Sequence, residues 1–378
     1  MKNFYALIEL IKGAINQSQV TINWDVDCSA LAELAKRHRV MSIAYHGLAK
    51  SNLNMPEEIA DEFANQRNLA IKSFMTQDYE MSKIISAFEE NGIKNVQLKG
   101  SSIRSMYPSP DMRVSCDVDI HYRRDDFELA SKILTDMGYT FDHSSVKDDV
   151  FTKPFSTVEL HNSLVGDSER FDAQKDIWDK ALLTEGKKFS YKLTFEDNYI
   201  FNVTHSAKHF FSSGIGIRAV LDTWMFMKNF PEDANVKYIN EALESVGLLK
   251  FRDEFEQLAR VWFEDAPKTK LSEIMTSYII KSGNFGSKVN EFALKFEKKG
   301  SNKFVYYFRR LFPNLEEMKL RYDILHKYPV LLPFTYIARF IGLITNRRSF
   351  KNEINILSNM QSDSTEDVTY MKNVFGIE

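Results

Sequence analysis

Asp117-Val118-Asp119-Ile120 sets two carboxylates two residues apart between apolar neighbours. Side chains alternate along a β-strand, so Asp117 and Asp119 would project together while Val118 and Ile120 point the other way. Adjacent carboxylates repel and are costly unless a cation neutralises them. A hard divalent cation with oxygen ligands, Mg²⁺ or in its place Mn²⁺, suits such a pair. Val158-Glu159-Leu160 holds a third acid between apolar residues. Upstream, Gly100-Ser101-Ser102 follows a short apolar run and reads as a strand-to-helix turn, with Ser101 or Ser102 as N-cap. Such a turn offers free backbone N–H groups and a helix N-terminus to phosphate, and Gly100 allows close approach. A lone Asp-x-Asp is common on solvated strand edges. The nearby turn and the third acid point instead to metal-assisted transfer of a phosphate-linked group.

The elements that must position these residues follow from periodicity. Leu31, Leu34, Ala35 and His38 share a helical face in a segment that continues towards Tyr45 and Leu48. Pro56 opens a long helix through Phe63, Leu69, Phe74, Ile84, Ile85 and Phe88, closed by Asn91-Gly92 as C-cap. The rhythm then changes. Strands are expected at 93–98, 115–122, 139–143, 150–153 and 157–164, with helices from the Ser101/Ser102 cap to Tyr107 and from 126 to 137, the latter capped by Asp125. From Asp197 the helical period returns through 199–211 and 218–230 and on past Phe263, Met275, Phe292 and Phe308. The expected class is α+β: a small mixed sheet with flanking helices, set between helical regions. The expected segments are a helical region at 1–90, a catalytic core at 91–190, a helical domain at 191–350 and a polar tail at 351–378.

Composition narrows the function classes. The 378 residues, 44% hydrophobic and 27% charged, are ordinary for a soluble globular protein. A net charge of -3 disfavours non-specific nucleic-acid binding. Two cysteines, Cys28 and Cys116, in no metal-ligand spacing argue against a disulfide framework and fit a cytoplasmic protein. The N-terminus is interrupted by charges too early for a signal peptide. The apolar stretch 330–345 contains Pro333 and Arg339 and is too short for a clean membrane span.

On its motifs the chain resembles the uncharacterised nucleotidyltransferase family of the polymerase-β-like superfamily. The residues that carry the resemblance are Leu98-Lys99-Gly100-Ser101, Tyr107-Pro108, Arg113, Asp117-Val118-Asp119-Ile120 and Glu159-Leu160-His161; it also covers His205 to Asp222 and extends more weakly over the N-terminal helices and over Phe312 to Arg339. It departs from the superfamily pattern at Lys99, in the longer gap from Gly100 to Asp117, and at His121-Tyr122, where apolar residues are usual. The resemblance implies an Mg²⁺-dependent enzyme that moves a nucleoside monophosphate from an NTP to an acceptor and releases pyrophosphate. Asp117 and Asp119 would ligate the nucleotide-bound metal, and Glu159 would complete a second site and help deprotonate an attacking hydroxyl. Gly100, Ser101 and Ser102 would hold the triphosphate, and Lys99 and Arg113 would neutralise its charge. Two rivals on the same fold are an inactive nucleotide-binding or interaction module and a phosphotransferase. The acceptor is open among small molecules, sugar phosphates, proteins and, disfavoured by charge, RNA.

Other residues have plainer readings. His161 shares a strand face with Glu159 and is expected to support the site by a hydrogen bond rather than bind metal. His121 should lie on the acid-bearing face. His205 and His209 have zinc-like spacing but no third ligand near in sequence, so a core or cleft-lining role is expected. Arg218 and Asp222 are spaced for an ion pair within one helix, and Arg113 for a loop pair with Asp111. Tyr306, Tyr307, Arg309 and Arg310 form an aromatic and basic cluster whose default is a helix with one solvated face.

Overall fold

The computed structural model describes residues 1–98, 100–115, 117–145, 148–163, 173–174, 177–284, 286, 312, 315, 318, 322, 324–337 and 362–376. Helices α1 (Lys2–Asn16), α2 (Cys28–Arg37) and α3 (Met41–Leu48) come first. Arg39, at φ 54°, breaks the segment between α2 and α3. The 34-residue α4 (Glu57–Glu90) follows, and Gly92, at φ 78°, ends it in the left-handed conformation that glycine adopts without strain. Phe63, Ala70, Gln77 and Ile84 are its buried residues at seven-residue spacing, joined by Glu80, Ile85 and Phe88. The two polar members mark the levels where α4 serves hydrogen bonds rather than apolar packing.

The sheet has seven strands in the order β3-β4-β5-β2-β1-β7-β6. They are β1 (Asn95–Gln97), β2 (Val118–Tyr122), β3 (Thr140–Ser144), β4 (Asp148–Lys153), β5 (Ser156–His161), β6 (Leu182–Leu183) and β7 (Ser190–Lys192). β1 runs antiparallel to β2 and parallel to β7, and β2 runs parallel to β5. The class is thus the mixed helix-and-sheet one expected, extended by two strands that periodicity did not show. Val118, Ile120, Tyr122, Val158 and Leu160 fill the core with Ile84, Ile85 and Phe88 of α4 and with Ala130 and Leu134 of α6 (Phe127–Asp136). Each such fully buried large side chain contributes roughly 1.5–3 kcal/mol.

Among the boundaries that differ from expectation, three have a local cause. The helix after Gly100 is only α5 (Gly100–Arg104); its end tightens through three-residue hydrogen bonds, Met106 N–H to Ile103 O and Tyr107 N–H to Arg104 O, instead of running to Tyr107. The acidic strand starts at Val118, because Arg113, Val114 and Ser115 ahead of it are held by helix side chains rather than by a neighbouring strand. Asp125 lies in a 3-10 turn (Arg124–Asp126) ahead of α6 and caps no helix.

Helices α7 (Phe195–Phe210), α8 (Ile217–Lys228), α9 (Val236–Ser245), α10 (Leu249–Phe263) and α11 (Lys270–Ser282) follow the sheet. Residues 1–210 and 215–285 form one compact unit, so α1–α4 and α7–α11 belong with the sheet. Residues 211–214 and 286–378 form a second unit, in which Phe375 of the helix Ser362–Phe375 meets Phe211 edge-on. Cys116, Phe292, Tyr306, Tyr307, Phe308, Arg309 and Arg310 lie outside the described residues. Of the apolar stretch, residues to 337 are described, with Val330 and Phe334 exposed. Among the described residues no helix is long and apolar enough to cross a membrane.

Candidate active site

The parallel pairing of β2 with β5 sets Asp119 opposite Glu159 and His121 opposite His161. In-register neighbours share a face, so these four side chains lie on the side away from the apolar core. Asp119 is 3% exposed and His161 1% exposed, while Glu159 is half-buried. His161 Nε2 lies 2.7 Å from Asp119 Oδ1 and 3.5 Å from Glu159 Oε2. One ligand atom from each of Asp119, Glu159 and His161 falls within 4.8 Å of the others, a spacing that one metal ion can bridge. His161 is thus the hydrogen-bonding neighbour of a carboxylate, as expected, and also stands within the donor set. His121 is buried and stacks on Trp178, with ring centroids 5.1 Å apart.

Asp117 precedes β2 in a bend, and Ser115 Oγ donates to its Oδ1 at 3.1 Å. Three successive residues before it are clamped by helices. Arg113 gives a two-pronged grip to Asp222 of α8, Nε to Oδ1 at 2.9 Å and Nη2 to Oδ2 at 3.0 Å. Arg218 of α8 donates to the Val114 carbonyl at 2.6 Å, and Gln77 of α4 donates to the Ser115 carbonyl at 2.9 Å. The loop therefore has fixed anchors on both sides, and these aim Asp117 at the cleft.

Arg113 and Asp222 are both buried, and the Tyr107 hydroxyl adds a third bond to Asp222 at 2.6 Å. Burial alone would lower the Arg113 pKa, but the Asp222 carboxylate outweighs it and holds the guanidinium above its ordinary value. Burial, then the Asp222 charge, pushes the Tyr107 phenol well up. Two sequence expectations change here. The bidentate partner of Asp222 is Arg113, 109 residues away, rather than its helix neighbour Arg218. Asp111 instead meets His46 Nε2 at 2.7 Å and Arg67 Nε at 3.5 Å, away from Arg113. Arg113, expected to grip phosphate, has Nε and Nη2 engaged by a carboxylate.

A cleft of about 260 Å³ opens beside Asp117 and Asp119, bounded by Gln77 and Asp78 of α4, by Arg104 of α5 and by Lys187. Gly100 and Ser101 begin α5, so the expected strand-to-helix turn is present in the backbone, and Ser102 follows half-buried. Lys99 lies outside the described residues. Residues that sequence reasoning missed are Arg104, Gln77, Lys187 and Trp178. Arg104 had one signal, its place four residues after Gly100 on the same short helix. The others come from elements distant in sequence, which pattern reading does not connect. His205 and His209 stack edge-on along α7, with centroids 4.5 Å apart; His205 is half-buried and His209 exposed.

No curated protein sequence matches the chain. The solution structure of the antibiotic-resistance factor ANT(2'')-Ia is similar over 51% of this chain and 93% of that one, at 13% identity and a TM-score of 0.27. Superposition at that level assigns no residue role. The family described as "Uncharacterised nucleotidyltransferase" matches residues 25–264, more than half of the sequence and all of the described site. The chain belongs to the uncharacterised nucleotidyltransferase family.

Proposed function

We propose that the protein transfers a nucleoside monophosphate from an NTP to an acceptor hydroxyl or phosphate, releasing pyrophosphate, with Mg²⁺ or Mn²⁺ as cofactor. The observation that carries this reading is the registration of Asp119 beside Glu159 across β2 and β5, with Asp117 two residues earlier on the adjoining cleft. The donor set fits a divalent cation, because the ligand atoms of Asp119, Glu159 and His161 converge within 4.8 Å and two of the three groups are carboxylates. Asp117, Asp119 and Glu159 would hold the metal, which supplies neutralising charge for phosphate oxygens and orients them for in-line attack. Carboxylate oxygens suit Mg²⁺ and Mn²⁺ alike, so Mn²⁺ is the cation to try beside Mg²⁺.

The chain's own residues carry the remaining work. His161 keeps Asp119 in one orientation through their 2.7 Å contact. Backbone N–H groups at Gly100, Ser101 and Ser102 receive the triphosphate at the start of α5, and Lys99 adds charge. Glu159, half-buried and so reachable by substrate, takes the proton of the attacking hydroxyl. The acceptor oxygen bonds to the α-phosphorus, the bond from that phosphorus to the bridging oxygen breaks, and pyrophosphate leaves. The acceptor is a small molecule, a sugar phosphate, a protein hydroxyl or, disfavoured by a net charge of -3, a nucleic acid.

The test is isothermal titration of each of the four NTPs with Mg²⁺ or Mn²⁺ into wild type and a D117N/D119N variant. Metal-dependent binding that the variant loses is the expected result. An acceptor screen read by product mass then separates nucleotidyl from phosphoryl transfer. Failure of every NTP to bind folded wild-type protein with either metal would refute the reading.

A further inference from the structure

We propose that Arg104 is the phosphate-gripping cation of this cleft, and that an anionic diphosphate or triphosphate is the ligand that neutralises it. The inference rests on the function proposed above and names a contact for it that the motifs do not contain.

The reason lies in how the protein treats its arginines. Arg113 has Asp222, Arg124 has Asp149, and Arg252 has Asp253 and Glu256. Arg104 is half-buried, yet among the described residues no carboxylate lies within ion-pair distance of it. Its Nη2 donates to Gln77 Oε1 at 3.0 Å, and its guanidinium sits 5.1 Å from the Phe74 ring centre. Its Nε is shielded from solvent and has no hydrogen-bond partner. An unmet donor on a partly desolvated cation is costly. A cation buried without a carboxylate of its own is an imbalance that an anion on the remaining guanidinium N–H groups relieves. Burial first, then the charge of Arg113, outweighs the raising charge of Asp78 across the cleft and brings the Arg104 pKa down to about 10, still charged at neutral pH.

The location identifies the acceptor chemistry. Arg104 lines the same cleft as Asp117 and Asp119, with Lys187 as a second cation on the lining. A phosphate chain can meet the metal-binding acids with one group and present further oxygens to Arg104. A planar guanidinium grips such oxygens with two parallel bonds, a geometry that lysine does not offer. Gln77 ties this grip to the acids, since it accepts from Arg104 and donates to the Ser115 carbonyl beside Asp117.

The experiment is titration of pyrophosphate and of each NTP, with Mg²⁺, into wild type, R104M, R104K and D117N/D119N, alongside melting curves with and without pyrophosphate. Arg104→Met keeps the packing on Phe74 and removes the charge. The expected result is a melting temperature for the unliganded variant equal to or above wild type, with pyrophosphate affinity down roughly 10- to 100-fold, the range for losing a charge-assisted hydrogen bond. R104K is expected to fall between. A lower unliganded melting temperature with undiminished pyrophosphate affinity would make Arg104 structural and overturn the inference. If R104M does not fold, undiminished affinity in R104K overturns it. Metal-dependent NTP binding that ignores Arg104 defeats this inference alone. Pyrophosphate binding that needs Arg104 but ignores D117N/D119N defeats the metal-site reading alone. Wild type that binds neither ligand overturns both.

Discussion

Replacing Asp222 with alanine isolates the clamp that holds the loop before Asp117. The substitution removes three hydrogen bonds, two from Arg113 and one from Tyr107, and leaves a buried guanidinium without its counter-charge. Breaking a buried ion pair from one side costs about 3–5 kcal/mol, because the stranded charge stays desolvated. For a unit of this size about 2 °C of melting temperature accompanies each kcal/mol, so D222A should melt about 6–10 °C below wild type. Removing both charges tells a different story. R113M/D222L replaces the pair with apolar groups of similar volume but strands the Tyr107 hydroxyl, so it should recover to within about 1–3 kcal/mol of wild type. The double-mutant cycle then shows a large coupling. Differential scanning fluorimetry and urea titration of the four proteins measure it. A fall of under about 2 °C in D222A, or a double variant as unstable as the two singles summed, would refute the assignment of Arg113 as an anchor. The same proteins report on function, since R113M/D222L should still bind NTP if the phosphate contact belongs to Arg104.

Further outcomes follow from other contacts. His38 is buried and neutral: its Nδ1 accepts from Ile217 N–H at 3.3 Å while Nε2 donates to Ile280 O at 3.3 Å. Burial, then the charge of Arg37, lowers its pKa from 6.5 to about 4. The unfolded chain therefore binds that proton first as pH falls. The stability His38 contributes is complete above pH 6.5 and is lost between there and about pH 4, a loss of about 3 kcal/mol that H38Q should not show in acid titrations followed by urea melts. Gly47→Ala should destabilise by about 1–3 kcal/mol in urea titration, since an added Cβ would fall 1.9 Å from the Leu10 carbonyl oxygen where α1 and α3 cross; an unchanged midpoint would mean that the two helices part easily. His161→Asn should weaken Mn²⁺ binding roughly 10- to 100-fold by loosening Asp119, and calorimetry showing equal affinity would remove His161 from the site.

Residue types and local spacing already pointed to the side chains that meet beside the cleft. Asp119, Glu159 and His161 were readable because a strand's two-residue period decides which side chains share a face, and the Gly100 turn because a helix start has a local signature; Asp117 was expected on the same strand but lies in a bend before it. The long α4 and its stop at Gly92 were equally local, depending on one face of apolar residues and one positive-φ glycine. Strand pairing was not readable. Register between β2 and β5, which brings Asp119 beside Glu159, joins residues 40 positions apart, and β7 enters beside β1 from 95 positions away. β6 and β7 have two and three residues, too few for any period to show.

The arginines divide the two levels most clearly. That acids, a strand-to-helix turn and cations occur close together was legible in the sequence, because those features depend on neighbours within a few residues. Which arginine is already paired emerged from the folded chain. Arg113 is matched by Asp222 from α8, and Arg104 reaches the cleft with an unmet donor. Charge compensation in a low-dielectric interior depends on distance in space, and chain separation carries almost no information about that distance.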